Sequence, residues 1–201
     1  MDILSFLMIN IHTAEAEQLS RTVLEVRERS LGPDHIETLE SVSHLALVLS
    51  SLYIIFRGNW DSAKTIEMES LLQRAVDGRE RVLGLKHPDT LKSKNNLAGY
   101  LYLKGDIGSA EKLLRHVLSV EEQLLGPEHP NLLMTLLTLA DLLRNKGDYS
   151  GAELLLRKSL NINMNLVGIK HQDTKNNIDD LAHLLELMGR DQEARSLRMK
   201  V

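Results

Sequence analysis

Four histidines recur inside one short string. Leu31-Gly32…His35, Leu83-Gly84…His87 and Leu125-Gly126…His129 share the pattern LG-x-x-H, and Val167-Gly168…His171 is a near copy. The steps between these histidines are 52, 42 and 42 residues. Imidazoles are common zinc ligands, held at about 2 Å from the ion. Turns that connect successive packed helices stand roughly 10 Å apart, so side chains placed once per repeat do not converge on one ion. A local role is expected instead: each histidine caps the helix that follows and packs beside Pro88 or Pro130. No metal site is expected. The carboxylate neighbours Glu121-Glu122 and Asp179-Asp180 do not face each other on a helix, so they make no acid–base dyad and read as solvated positions. The sequence holds no HExxH, P-loop, GxGxxG or GxSxG string. Cysteine is absent, which removes thiol nucleophiles, disulfides and thiolate metal sites together. No catalytic residue and no cofactor is therefore expected, and the protein is read as non-catalytic.

The elements that carry these residues are helices. The chain has 201 residues, of which 43% are hydrophobic, 26% charged and 3% aromatic. That balance suits a folded protein rich in helix rather than a disordered one. The net charge is −4, from 24 Lys and Arg against 28 Asp and Glu, so nothing favours a phosphate backbone and no nucleic acid is expected as partner. No apolar run approaches the roughly 18 residues of a membrane span, and no membrane partner is expected. The absence of cysteine fits a reducing compartment, and a cytoplasmic location is expected. The apolar segment Ile3–Ile11 follows Asp2 rather than Lys or Arg, so it reads as buried helix and not as a secretory signal.

Between His87 and His171 the repeat is clean. His87-Pro88-Asp89-Thr90, Asn96-Leu97-Ala98, Gly105-Asp106, Ala110-Glu111 and Leu113-Leu114 return one period later as His129-Pro130, Leu139-Ala140, Gly147-Asp148-Tyr149, Ala152-Glu153 and Leu155-Leu156. A last copy has His171, Leu181-Ala182, Gly189 and Ala194. Residues 88–104 and 107–125 carry apolar positions at helical spacing, so each period is a helix pair. Pro88 suits a first helical position, where its missing N–H costs nothing. Gly126 suits the end of the second helix. Ala98 and Ala110 are small where two antiparallel helices must cross closely. One such pair cannot bury its apolar face alone, so copies must stack.

Leu-Ala, Gly-Asp-Tyr, Ala-Glu and Leu-Leu in this order resemble the tetratricopeptide repeat. The 42-residue period with LG-x-x-HP between units is similar to the variety found in kinesin light chains. The resemblance covers about residues 13–200 and implies an all-α fold, a right-handed α-solenoid of tetratricopeptide-like helix pairs. The expected organisation is a single repeat domain over 1–201. It comprises a partial repeat (1–32), a repeat with a ten-residue insertion (33–84), two regular repeats (85–126 and 127–168) and a truncated C-terminal repeat (169–201). Ile11 stands where a turn glycine belongs, and the apolar N-terminus is a poor solenoid cap. The chain is thus expected to be a fragment of a longer array, or to have that end covered by a partner or a second copy.

The 52-residue step carries the insertion, and it divides evenly. Ala46 to Gly58 is 12 residues where Ala98 to Gly105 is 7, and Ala63 to Leu71 is 8 where Ala110 to Leu113 is 3. A hairpin over residues 46–71 should therefore protrude by roughly 7 Å at 1.5 Å per residue. It contains Tyr53, Ile54, Ile55 and Phe56, with Trp60 just past the turn. These five residues are candidates for a knob that binds a partner or a second copy, or else they pack on each other and on the next repeat.

The resemblance also implies which positions line a concave face. They are Glu40, Ser43, Leu47 and Ser50; Lys92, Asn95, Gly99 and Tyr102; Met134, Leu137, Asp141, Arg144 and Asn145; and Asn176, Asp179, His183 and Glu186. In the kinesin-light-chain variety, an asparagine at the Asn95 position holds peptide main chain; Ser43, Leu137 and Asp179 stand at its equivalents. The candidate peptide-binding residues are Lys92, Asn95, Tyr102, Asp141, Arg144, Asn145, Asn176 and His183. The face carries two cations, Lys92 and Arg144, against four anions, so a neutral or basic peptide is expected over an acidic one. The expected function is a protein–protein interaction scaffold or adaptor whose partner is a protein or peptide. The alternative is an oligomerising or regulatory repeat segment of a larger signalling protein, with no free peptide ligand.

Overall fold

The computed structural model describes residues 3–55 and 62–199, and side-chain surroundings for 14–53 and 62–199. All regular structure among the described residues is helical. The elements are α1 (Ile3–Leu31), α2 (Ile36–Ile55), α3 (Ser62–Leu83), α4 (Pro88–Lys104), α5 (Ile107–Leu125), α6 (Leu133–Lys146), α7 (Tyr149–Val167), α8 (Gln172–Leu187) and α9 (Asp191–Arg198). A single 3₁₀ turn, Pro130–Leu132, leads into α6. The bounds of α4 and α5 are those that the apolar spacing and the Pro and Gly punctuation predict.

The helices gather into two compact units, Met1–Tyr100 and Leu101–Val201. In the N-terminal unit α1 packs on α2 and α2 on α3. Its core holds Leu39, Val42, Leu45, Ala46 and Leu49 of α2 against Met68, Leu72 and Ala75 of α3. The approach is close: a Cβ added at Gly78 of α3 would clash with a methyl of the buried Leu39. In the C-terminal unit α5 packs on α6, α6 on α7, α7 on α8 and α8 on α9. Leu136, Leu139, Ala140 and Leu143 of α6 are buried with Ala152 and Leu156 of α7. The Leu-Ala pairs of the repeat are thus the buried stripes of α2, α6 and α8, with Ala46, Ala140 and Ala182 fully enclosed.

The turns follow the sequence punctuation. Gly147 ends α6 at φ +89° and ψ 3°, a left-handed conformation that residues with a Cβ avoid. Asp148 then caps α7 by accepting the backbone N–H of Gly151 at 2.9 Å. In the next copy Arg190 stands at the aspartate position and makes no side-chain cap. Ile11 behaves as its chemistry suggests: with no glycine to reverse the chain, α1 runs through it as one helix of 29 residues. The side chains of Ile3–Ile11, expected to be buried, lie outside those described.

The insertion is shared between two arms. Among the described residues α2 has 20 against 17 in α4, and α3 has 22 against 19 in α5, so each arm gains three helical residues there. Phe56 and Trp60 lie outside the described residues, as do the side chains of Ile54 and Ile55. Tyr53 is half-buried.

Candidate functional site

Three recurring local devices hold the helices that frame the site. The first is the histidine of each LG-x-x-H string. His35, His87, His129 and His171 each use Nδ1 to accept the backbone N–H two residues on, at 3.3, 3.2, 3.1 and 3.2 Å. Each imidazole thereby satisfies one of the N–H groups that a helix start leaves unpaired.

The second device is the glutamate of each Ala-Glu pair. Glu111 accepts from Arg115 on its own helix at 2.9 Å and from Lys146 at the end of α6 at 2.7 Å. One period later Glu153 pairs with Arg157 at 2.7 Å and with Arg190, in the turn after α8, at 2.6 Å. Glu17, the first copy, takes Arg21 at 2.9 Å and Lys64 at 2.8 Å. Lys146 and Arg115 hold the Glu111 carboxyl below its ordinary value against the opposing effect of burial. For Glu153 burial acts first and upward, and the two arginines outweigh it.

The third device is a polar pair 14 residues apart, buried in two of its three copies. Arg27 donates to Ser41 Oγ at 2.8 Å, Arg79 to Ser93 Oγ at 2.7 Å, and Thr135 Oγ1 to Glu121 Oε2 at 2.7 Å. The positions are repeat equivalents, yet their charge changes sign at Glu121. Nothing in the spacing of the apolar residues announces these pairs.

These devices fix α6 and α8 beside the end of α4, and a cleft of about 380 Å³ opens within the C-terminal unit. Its apolar lining includes Leu137 and Leu156, and its polar lining Tyr102, Asp141, Arg144 and Asp180. The polar groups form a network. Tyr102 Oη donates to Asp141 Oδ2 at 3.2 Å and accepts from Asn145 Nδ2. Arg144 pairs with Asp141 Oδ1. Burial and the Asp141 charge raise the Tyr102 phenol above its ordinary value, so it stays a donor at neutral pH. The cleft can offer a guest a carboxylate, a guanidinium and the half-buried Leu137 surface, with the Asn145 carboxamide beside them.

The structure therefore joins four of the eight candidate peptide-binding residues: Tyr102, Asp141, Arg144 and Asn145. Asn176 is exposed on α8, with Oδ1 accepting from Gln172 at 2.9 Å. His183 is exposed, with Nδ1 3.8 Å from Glu186. Lys92 is exposed on the N-terminal unit. Asn95 is 4% exposed, so its carboxamide offers a ligand almost no surface. The sequence reading passed over Asp180, which lines the cleft, while Asp179 lies 3.6 Å from Arg198. The signal was present: Asp180 is the 42-residue equivalent of Thr138, which lines the same cleft.

Among the described residues no cluster of His, Asp and Glu could hold a metal ion, and no helix is long and apolar enough to cross a membrane.

Paired helices closed by a left-handed glycine, capped by aspartate or histidine and repeated every 42 residues define a helical-repeat protein. Two sequence models of the tetratricopeptide repeat match the chain, one over residues 59–123 and 91–165 and the other over 7–37. The chain belongs to the tetratricopeptide-repeat family. Its structure is similar to the nearly identical TPR-like repeats assigned to a kinesin light chain of Podosopora anserina. That likeness has TM-score 0.69 and 26% identity, over 94% of this chain and 84% of the other. A point variant of that protein gives TM-score 0.72 and 25% identity, over 95% and 85%. BtubC (BKLC) of P. vanneervenii shares the fold, with TM-score 0.63 and 14% identity over 94% of this chain and 87% of the other. Among curated proteins none matches the sequence. The fold is thus all-α, of the kinesin-light-chain-like tetratricopeptide type. Repeats of this family build protein–protein interaction scaffolds in general.

Proposed function

We propose that the protein is a non-catalytic, cytoplasmic adaptor that binds an extended peptide segment of a protein partner in the cleft between α6 and α8. The observation that carries this reading is the Tyr102–Asp141–Arg144–Asn145 network beside the half-buried Leu137. Positioned donors and acceptors with an apolar floor are what recognition of a peptide needs. Asp141 and Asp180 outnumber Arg144 in the cleft, and the neighbouring exposed groups include Asp179. The preferred peptide is therefore neutral or basic. Asn176 and His183, both exposed on α8, would be outer contacts.

The test is a peptide array read by fluorescence anisotropy. Basic or neutral peptides should bind, and Asp141→Ala with Asn145→Ala should weaken them by about tenfold or more, the scale of a hot-spot loss. Preference for strongly acidic peptides, or indifference to both substitutions, would overturn the reading. The matched lengthening of α2 and α3 supports a second surface on the 46–71 hairpin. There Tyr53, Ile54, Ile55, Phe56 and Trp60 would form the knob. Light scattering of the protein and of a Tyr53→Ser, Phe56→Ser variant measures whether that knob joins two copies.

A further inference from the structure

The charges around the α6–α8 cleft can be matched one by one. Asp141 is held by Arg144 and by the Tyr102 hydroxyl. On α8, Asp179 lies 3.6 Å from Arg198, and Glu186 pairs with the same guanidinium. Asp180 is the exception. It lines the cleft, and among the described residues its carboxylate has no hydrogen bond and no ion-pair partner. Repeat register shows what stands there in the preceding copy. Thr138, 42 residues earlier, lines the same cleft and uses its hydroxyl on its own helix, donating to the Met134 carbonyl at 2.8 Å. The α8 copy thus puts an open carboxylate where the α6 copy has a hydroxyl already satisfied. Asp180 is exposed, so a guest can reach it. The cleft walls still remove part of its hydration, the largest influence raising the carboxyl above its ordinary value; Asp141 and Asp179 add to the rise, while Arg144 and His183 oppose it.

We infer that Asp180 is the residue that selects a cationic side chain, arginine or lysine, in the peptide that the cleft binds. The inference rests on the cleft reading above and names the group that sets the sign of the guest's charge. A long cationic side chain suits the walls as well as the charge. Its methylene stem can lie along the half-buried Leu137 while its head stays at the wet edge beside Asp180. An arginine fork can bond both oxygens of a carboxylate at once, and both oxygens of Asp180 are open to it. Arg144 is no rival for the place, because Asp141 already holds its guanidinium. An acidic guest would instead set a like charge against Asp180, with part of the hydration of both removed and nothing gained in return.

The test uses synthetic peptides with blocked ends, each holding a leucine and an arginine at varied spacing in a serine-glycine background. Matched peptides carry citrulline, which keeps the shape of arginine and removes its charge. Fluorescence anisotropy with the whole protein compares the two sets. The tightest arginine peptide should bind about fivefold better than its citrulline match, the upper range for a solvent-accessible charge pair, and added salt should shrink that ratio. Asp180→Asn should bring the ratio close to unity, and Asp180→Glu, which keeps the charge, should retain most of it. The ratio is taken within one variant, so any loss of folded protein lowers both arms alike. Equal binding of arginine and citrulline peptides to the parent, or a ratio that survives in Asp180→Asn, overturns this inference and leaves the cleft reading standing. Binding by no peptide of either set also overturns it, and the peptide array then decides the cleft reading by itself.

Discussion

The Thr135 hydroxyl donates a 2.7 Å hydrogen bond to the carboxylate of Glu121, and both side chains are buried between α5 and α6. Burial raises the Glu121 carboxyl above its ordinary value of 4.5, and the Thr135 bond opposes that rise. A carboxyl raised by folding binds more protons in the folded than in the unfolded chain. Its contribution to stability is therefore full below the unfolded value and declines as pH rises through the folded one. Glu121→Gln keeps an acceptor for Thr135 and removes the buried charge. We expect the variant to be more stable at pH 7, with the difference shrinking as pH falls below the ordinary carboxyl value. Paired thermal melts at pH 7 and in acid measure it, and a less stable variant at pH 7 contradicts it.

Glu111, ten residues earlier on the same helix, has the opposite sign. Lys146 and Arg115 lower its carboxyl, so its stabilisation is present above the unfolded value and disappears as pH falls through the folded one. Glu111→Gln should cost about 0.5 kcal/mol at pH 7, as expected of a largely surface ion pair, and nothing at strongly acidic pH. Added salt should shrink the pH 7 effect. A cost that persists unchanged in acid would point to packing rather than charge.

His171 caps α8 through the Asp173 amide. Replacing it with alanine leaves that N–H without its acceptor and should cost about 1 kcal/mol. His171→Asn, which carries a short side-chain acceptor, should recover most of the loss. Hydrogen exchange at the Asp173 amide gives a local readout: faster in the alanine variant, near the parent rate in the asparagine one. Equal exchange in all three proteins would show that the imidazole does not cap the helix.

How much of this was legible in the sequence differs from one residue to the next. The helix pair 88–104 and 107–125 could be read directly, because apolar period, Pro88 and Gly126 are local signals. The histidines could be placed as caps because one-per-repeat spacing kept them apart. The Ala-Glu pair was visible as a pattern, but its use was not. Glu111 reaches Lys146 and Glu153 reaches Arg190 across 35 and 37 residues, and only the stacking of α5 on α6 and α7 on α8 brings them together. The Asn95 and Asp180 positions show the same limit. Successive residues on a helix point about 100° apart, so a one-residue difference in register decides between a cleft wall and a rim. The family resemblance implied a ligand-facing place for Asn95, while its side chain is buried in this chain.

The amino-acid sequence alone determined the repeat, the class of fold and the ends of most helices, since caps, breakers and a 3.6-residue period act within a few residues of each other. The tertiary structure decided which polar groups meet and which stay open. It joined Tyr102 to Asp141 and Asn145, buried Glu121 against Thr135 and left the Asp180 carboxylate open at the cleft. Those outcomes depend on which helix lies over which, a matter of packing between segments distant in the chain.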